Sequence, residues 1–219
     1  MRHFVFDAYG TLFDVHSAAQ RYRDVIGSNA DRLSQIWRTK HLEYTWVWAL
    51  TGRHTTFRRL AEQSLDYAIA TVGGIPPGIR EKLLASYETL SPFAEVPQVL
   101  AELRSRGAYV SILTNGDPDL IDAAVSSSKL GGVIDTIITV HDANVFKPDA
   151  RVYRRITDRF GIAPSEVSFQ SSNRWDIAGA KVFGFHCVWI NRIGAPDEYP
   201  ETPPDHVVGD LTPLVAMVS

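Results

Sequence analysis

An apolar run, Phe4-Val5-Phe6, stops at a carboxylate, Asp7, and Gly10 and Thr11 follow at once. A short Val/Phe run bounded by a glycine turn predicts a buried strand beginning near residue 3. Asp7 then lies at the carboxyl end of that strand, the end that faces the ligand crevice in open α/β sheets. A carboxylate there serves as a metal ligand or as a nucleophile that forms a covalent intermediate. A solvated strand end is the plainer alternative, and the run alone does not choose.

The rest of the chain predicts the sheet. Residues 15 to 92 read as all-helical. Ala19, Tyr22, Val25 and Ile26 recur at helical spacing up to Gly27. A longer helix spans Asp31 to Leu50, with Leu33, Ile36, Trp37, Tyr44, Val47 and Trp48 as its buried stripe. Phe57 to Val72 gives the cleanest helical face, and Ile79 to Leu90 another helix. Then strands alternate with helices. Strands are expected at Tyr109–Leu113, Thr136–Val140, Val167–Gln170, His186–Ile190 and His206–Val208. Helices are expected at Val96–Arg106, Pro118–Ser128, Ala150–Phe160, Trp175–Phe183 and Pro213–Val218. This pattern means an α/β fold with a parallel sheet covered on both faces. Right-handed crossovers bring the strand ends to one edge. The division expected is a core of residues 1–14 and 93–219, with a four-helix cap of residues 15–92 inserted after the first strand.

Composition narrows the function. The chain has 219 residues, 45% apolar and 21% charged, as in an ordinary globular protein, and a net charge of −3. No basic block exceeds an Arg-Arg pair, so nucleic acid is not an expected partner. No apolar run is long enough to span a bilayer, and no signal peptide precedes the first strand. The single cysteine, Cys187, excludes an internal disulfide and fits a reducing compartment. A cytoplasmic enzyme is expected.

Three more strand ends carry polar residues. Thr114-Asn115-Gly116-Asp117 offers a hydroxyl, an amide and a glycine that lets backbone N–H groups approach an anion; an Asn-Gly turn is the alternative. Lys147 precedes Pro148 and is held extended; it is either a solvated loop lysine or a buried partner that orients Asp7 and balances its charge. Ser171-Ser172-Asn173-Arg174-Trp175-Asp176 places small polar groups at a strand end and an Asp at a helix start, where simple N-capping is the alternative.

Taken together, D-x-Y-G-T-L-F-D-V, T-N-G-D, F-K-P-D-x-R-V-Y and S-S-N-x-W-D-x-x-G-A resemble the motifs of the haloacid dehalogenase superfamily, in its L-2-haloacid dehalogenase branch. The resemblance runs from about residue 4 to 210. It implies that Asp7 is the nucleophile, with Thr11 at the motif's threonine. Tyr9 stands where the superfamily's phosphatases carry a second Asp as general acid/base. A phenol is a poor substitute there, whereas a halide leaving group needs no proton. Lys147 becomes the Asp7 partner. Ser171, Asn173 and Asp176 hold the nucleophile and the hydrolytic water. Thr114 and Tyr153 contact the substrate carboxylate. A second resemblance, W-R-x-K-x-L-E-Y-T-W at Trp37–Trp46, assigns the halide to Arg38, helped by Asn115, and an apolar wall to Tyr9, Leu42, Phe57 and Trp175. Arg174 departs from the small residue common in relatives; it either lies outside the site or tunes substrate access.

The resemblance implies hydrolysis of short 2-haloalkanoic acids, L substrates giving D-2-hydroxy acids, with no metal and no cofactor. Relatives are often homodimers, and Trp46-Val47-Trp48 fits an interface or a core. A Mg²⁺-dependent phosphatase and a non-catalytic protein on the same scaffold are the competing readings.

Overall fold

The computed structural model describes residues 2–218. Phe4, Val5 and Phe6 are fully buried, and their strand, β1 (His3–Phe6), lies inside the sheet rather than at an edge. It pairs in parallel with β2 (Tyr109–Thr114) on one side, Phe6 against Ile112, and with β4 (Val167–Ser171) on the other, Phe6 against Gln170. With β3 (Thr136–Thr139), β5 (His186–Ile190) and β6 (His206–Val208) the parallel order is β3-β2-β1-β4-β5-β6. Strand order reverses between β1 and β4, the switch point at which such sheets open a crevice.

Between β1 and α6 (Val96–Ser105) lie α1 (Ser17–Gln20), α2 (Arg23–Ile26), α3 (Ala30–Leu50), α4 (Phe57–Thr71) and α5 (Ile79–Ala85). The chain leaves and rejoins the sheet side by side: Asp14 N–H donates to the Ser91 carbonyl at 2.9 Å, and Phe93 N–H to the Leu12 carbonyl at 3.0 Å. The crossovers α7 (Pro118–Ser127), α8 (Ala150–Phe160) and α9 (Arg174–Phe183) complete the chain.

Three expected helices differ. The first, ending at Ile26, is broken into α1 and α2, because its ten residues bury only Ala18 and Ala19. So little burial does not reward a continuous helix. The helix from Ile79 ends at Ala85 and tightens to a 3₁₀ turn over Ser86–Thr89, where Ser86 Oγ bonds back to the Lys82 carbonyl at 2.8 Å. The closing segment is a 3₁₀ helix, Thr212–Met217. The stripe of α3 also turns: its buried side chains are Leu33, Ser34, Trp37, His41 and Thr45, while Val47 is 51% exposed. Apolar periodicity missed this face because three of its members, Ser34, His41 and Thr45, are polar.

Candidate active site

The sheet's switch point gathers Asp7, Thr11, Lys147, Asn173 and Asp176. Both oxygens of the buried Asp7 are held. Oδ1 accepts from Lys147 Nζ at 3.1 Å, and Oδ2 from Thr11 Oγ1 at 3.0 Å and Asn173 Nδ2 at 2.8 Å. Thr11 is fixed in turn: its Oγ1 accepts from the Ser172 N–H at 2.8 Å. Asn173 is fixed by its own N–H, which donates to Ser171 Oγ at 3.1 Å. Thus the loop after β4 carries no free-swinging side chain toward Asp7.

Lys147 is fully buried and bridges the carboxylates, donating also to Asp176 Oδ2 at 2.8 Å. Burial alone would lower its pKa; Asp176 and Asp7 more than offset that and raise it, so it stays cationic. Burial pushes the Asp176 carboxyl up to about 6, against the pull of Lys147. Among the described residues no set of three or more His, Cys, Asp or Glu side chains is arranged to hold a metal ion; the ammonium of Lys147 lies between the two carboxylates.

At the end of β2, Asn115 Oδ1 accepts from the Lys147 N–H at 2.9 Å, which fixes the amide's orientation. Thr114 Oγ1 accepts from the Gly116 N–H at 3.0 Å and keeps its own proton to donate. Gly116 does more than turn the chain. A Cβ there would meet the Tyr9 ring at 2.6 Å, so only glycine lets Tyr9 lie against this loop. Tyr9 packs on Phe57, ring centroids 5.2 Å apart, and on Tyr87 at 5.9 Å. Burial drives its phenol far above the usual range. It is therefore a much poorer acid than a carboxyl near neutral pH, which disfavours the phosphatase reading.

Arg38 projects from α3 into the same place. Its Nη2 donates to the Tyr9 carbonyl at 2.9 Å and to Asn173 Oδ1 at 3.1 Å. Leu42, one helical turn on, is half-buried. Trp175 is half-buried, edge-on to Trp46 of α3 at 5.5 Å. One expected residue sits elsewhere, and of the two alternatives for Arg174 the first holds. Tyr153 is fully buried behind Asp176, donating to its Oδ1 at 2.8 Å, so the hydroxyl serves that carboxylate. Arg174 lies outside the cluster: it ties down the loop before β6 through Asp197 Oδ1 at 2.6 Å and the carbonyls of Tyr199 and Thr202.

The family model of haloacid dehalogenase-like hydrolases matches residues 1–184. This chain belongs to that family. Among similar proteins, (S)-2-haloacid dehalogenase 4A of Burkholderia cepacia is 41% identical over 215 residues, 98% of this chain and 93% of that protein. A solved dehalogenase with intermediate complex superposes with a TM-score of 0.97 at 40% identity, covering 100% of this chain and 97% of that one. The L-2-haloacid dehalogenase of Xanthobacter autotrophicus, with chloropropionic acid covalently bound, gives 0.91 at 33%, covering 100% and 98%.

Within this haloacid dehalogenase-like site, sequence reasoning missed four residues. Arg192 donates to the Thr11 carbonyl at 3.0 Å and is anchored by Glu95 at 2.7 Å. Asp117 and His41 contact Phe57, and Tyr87 packs on His41 and Tyr9. Asp117 carried a signal, since it follows the Thr-Asn-Gly run at a strand end. His41 carried none, because a single polar residue inside a helix does not announce that it is buried.

Proposed function

We propose that this chain hydrolyses the carbon–halogen bond of short L-2-haloalkanoic acids, giving a D-2-hydroxy acid and halide through an ester on Asp7. The observation that carries the reading is the Asp7 carboxylate, held at both oxygens at a switch point, with the buried phenol of Tyr9 in place of a second carboxyl. The covalent chloropropionic acid in the Xanthobacter relative supports an ester in this family.

Asp7 attacks C2 opposite the carbon–halogen bond. The new C–O bond forms as the C–X pair leaves with the halide, and C2 inverts. Lys147, Thr11 and Asn173 aim the carboxylate. Thr114 and neighbouring backbone N–H groups hold the substrate carboxylate. Arg38 and the Asn115 amide stabilise the departing halide. Tyr9, Leu42, Phe57 and Trp175 form the apolar wall around the α-substituent. Water beside the Ser171–Asn173 loop, its proton taken by Asp176 at the start of α9, then attacks the ester carbonyl; the acyl C–O bond breaks, the D-2-hydroxy acid leaves as its alkoxide takes up that proton, and the Asp7 carboxylate is restored. Tyr153 contributes through Asp176 rather than by touching substrate.

Residues 15–92 act as a cap over a core of 1–14 and 93–219; the side-by-side exit and return at Asp14–Ser91 and Leu12–Phe93 support that division. A cytoplasmic location fits the single, buried Cys187. No helix among the described residues is long and apolar enough to cross a membrane. A homodimer is supported by the exposed Val47 and Leu50 on α3 and is tested by sedimentation.

The test is halide release from L- and D-2-chloropropionate, with a single turnover in ¹⁸O-water. The L acid alone releases chloride, ¹⁸O appears first in Asp7, and Asp7→Asn releases none. Label entering the product directly, or halide from Asp7→Asn, overturns the ester route.

A further inference from the structure

Phe57 opens α4, and its ring lies against Tyr9, the residue two places beyond Asp7. Its backbone is gripped from two sides. On the sheet side, the Asp117 carboxylate at the end of β2 accepts from the Phe57 N–H at 3.1 Å and from the Arg58 N–H at 2.7 Å. These are two of the N–H groups that an α-helix cannot satisfy by itself, and the carboxylate also meets the positive end of the helix dipole. On the helical side, His41 of α3 holds the Phe57 carbonyl, Nε2 to O at 3.1 Å. The carbonyl can only accept, so Nε2 carries the proton. Nδ1 is then an acceptor, facing the Tyr87 hydroxyl at 3.4 Å.

The imidazole is stacked on the Phe57 ring at 4.0 Å. Burial, reinforced by Arg38, pushes its pKa down to about 3, so the ring stays neutral and this tautomer persists at any working pH. Both residues reach Phe57 without belonging to the cluster around Asp7.

We infer that His41 and Asp117 are positioning residues that clamp Phe57 from opposite sides and so set how long an α-substituent the pocket accepts. The inference rests on the dehalogenase reading above. A methylene in an apolar pocket discriminates substrates by roughly 10- to 200-fold, but only where the wall cannot retreat. With one jaw removed, the Phe57 ring can retreat from Tyr9, and the larger substrate gains relative to the smaller.

The measurement is kcat/KM for L-2-chloropropionate and L-2-chlorobutyrate on the full chain. In His41→Phe, which keeps the stacked ring but not the donor, the ratio between the two acids shifts toward the longer acid by about fivefold or more. His41→Gln, which restores a donor, stays within about twofold of the parent ratio. Asp117→Ala shifts the ratio the same way as His41→Phe. The double variant shifts it by less than the product of the singles, because both act on one ring. A merely structural role would lower both acids equally and leave the ratio unmoved, which overturns the clamp. Should either variant fail to fold, the other and the Gln rescue decide the matter. If the parent releases no halide from either acid, the dehalogenase reading fails first and takes the clamp with it. A parent that is active with unmoved ratios sinks the clamp alone.

Discussion

The sheet edge and the helical wall hold their functional groups by opposite means. At the sheet edge each group is held several times over: Asp7 accepts three side-chain hydrogen bonds, and Lys147 spans two buried carboxylates. Across the cleft, the rings of Phe57, Tyr87 and Trp37 are held mainly by packing on one another, on His41 and on Tyr9, and the hydrogen bonds there fix backbone groups, as His41 and Asp117 do at Phe57, or a single ring N–H, as Trp37 Nε1 to the Ala61 carbonyl at 2.9 Å. Charges taken out of water are costly unless paired, so the sheet edge tolerates little change. Apolar contacts are individually weak and non-directional, so the wall can change its shape without unfolding the protein. Chemistry needs the first property and substrate range the second.

The largest effect should come from removing the ammonium that the sheet edge shares. Lys147→Met leaves Asp7 and Asp176 buried beside each other without a cation, and breaking a buried pair this way costs about 3–5 kcal/mol. That is a large part of the stability of an ordinary domain. The loss should also depend on pH. Asp176 is already raised in the folded protein, and losing Lys147 raises it further. A carboxyl raised on folding costs nothing below its unfolded pKa of about 3.9, where both states are protonated. It costs the full amount above its folded pKa. Urea unfolding at pH 4 and pH 8 should therefore show the gap to the parent widening as pH rises. A gap independent of pH would mean that the carboxylates are not the source, and the contrast between the two regions would lose its basis.

Legibility in the sequence follows the same divide. Asp7, Asn173 and Asp176 were readable because each ends a strand or opens a helix, and parallel topology brings such ends together whatever the side chains between them; Lys147, on the loop between β3 and α8, was readable through the proline that follows it. The motif resemblance added the partners. The wall was readable only in outline. On α3 the apolar pattern pointed to Tyr44, Val47 and Trp48, yet the helix buries His41 and Thr45. Each is accepted inside because a nearby carbonyl meets it: Phe57 for His41, and Leu42 for Thr45 at 2.7 Å. Hydropathy cannot anticipate such partners, whether from a preceding turn of the same helix, as for Thr45, or from another helix, as for His41. Tyr153 shows the limit from the other side: resemblance put its hydroxyl near substrate, but its reach is taken up by Asp176. The length of the first helix after β1 was misjudged because spacing was matched without asking how much area it buries.

Arg38 crosses from one region to the other, so it tests whether the wall's one charged contribution behaves like the sheet edge. Arg38→Lys keeps the charge but replaces the planar guanidinium, whose Nη2 donates to both the Tyr9 carbonyl and Asn173 Oδ1, with a compact ammonium on a shorter side chain. Turnover should fall by about 10²-fold, the usual cost of one donor aimed at developing charge. Stability should change by less than about 1 kcal/mol, because a lysine at this half-buried position can still reach water. Steady-state kinetics with thermal unfolding separates the two. Turnover within threefold of the parent would mean that charge alone serves the halide. A stability loss as large as that of Lys147→Met would place Arg38 with the sheet edge.

The smallest effect belongs to a group that acts through another. Tyr153→Phe removes only the hydroxyl that donates to Asp176 Oδ1, in a site that already encloses the ring. That hydrogen bond favours the ionised carboxylate, so without it the Asp176 pKa rises further above its place near 6. A net hydrogen bond to a charged group is worth about 1.5–3 kcal/mol, and one pKa unit is 1.36 kcal/mol. The shift should thus be about one to two units upward. In the proposed mechanism Asp176 must be ionised to activate water, so the rate of ester breakdown should fall as pH drops, and the whole acid limb should move to higher pH. Rapid-quench measurement of ester breakdown between pH 5 and 9 isolates that step from carbon–halogen cleavage. Near pH 9 the variant and parent should converge, because both are then ionised. A uniform loss across the range would mean that Tyr153 contributes by packing alone, and that hydrogen bonding at the sheet edge tunes position but not protonation.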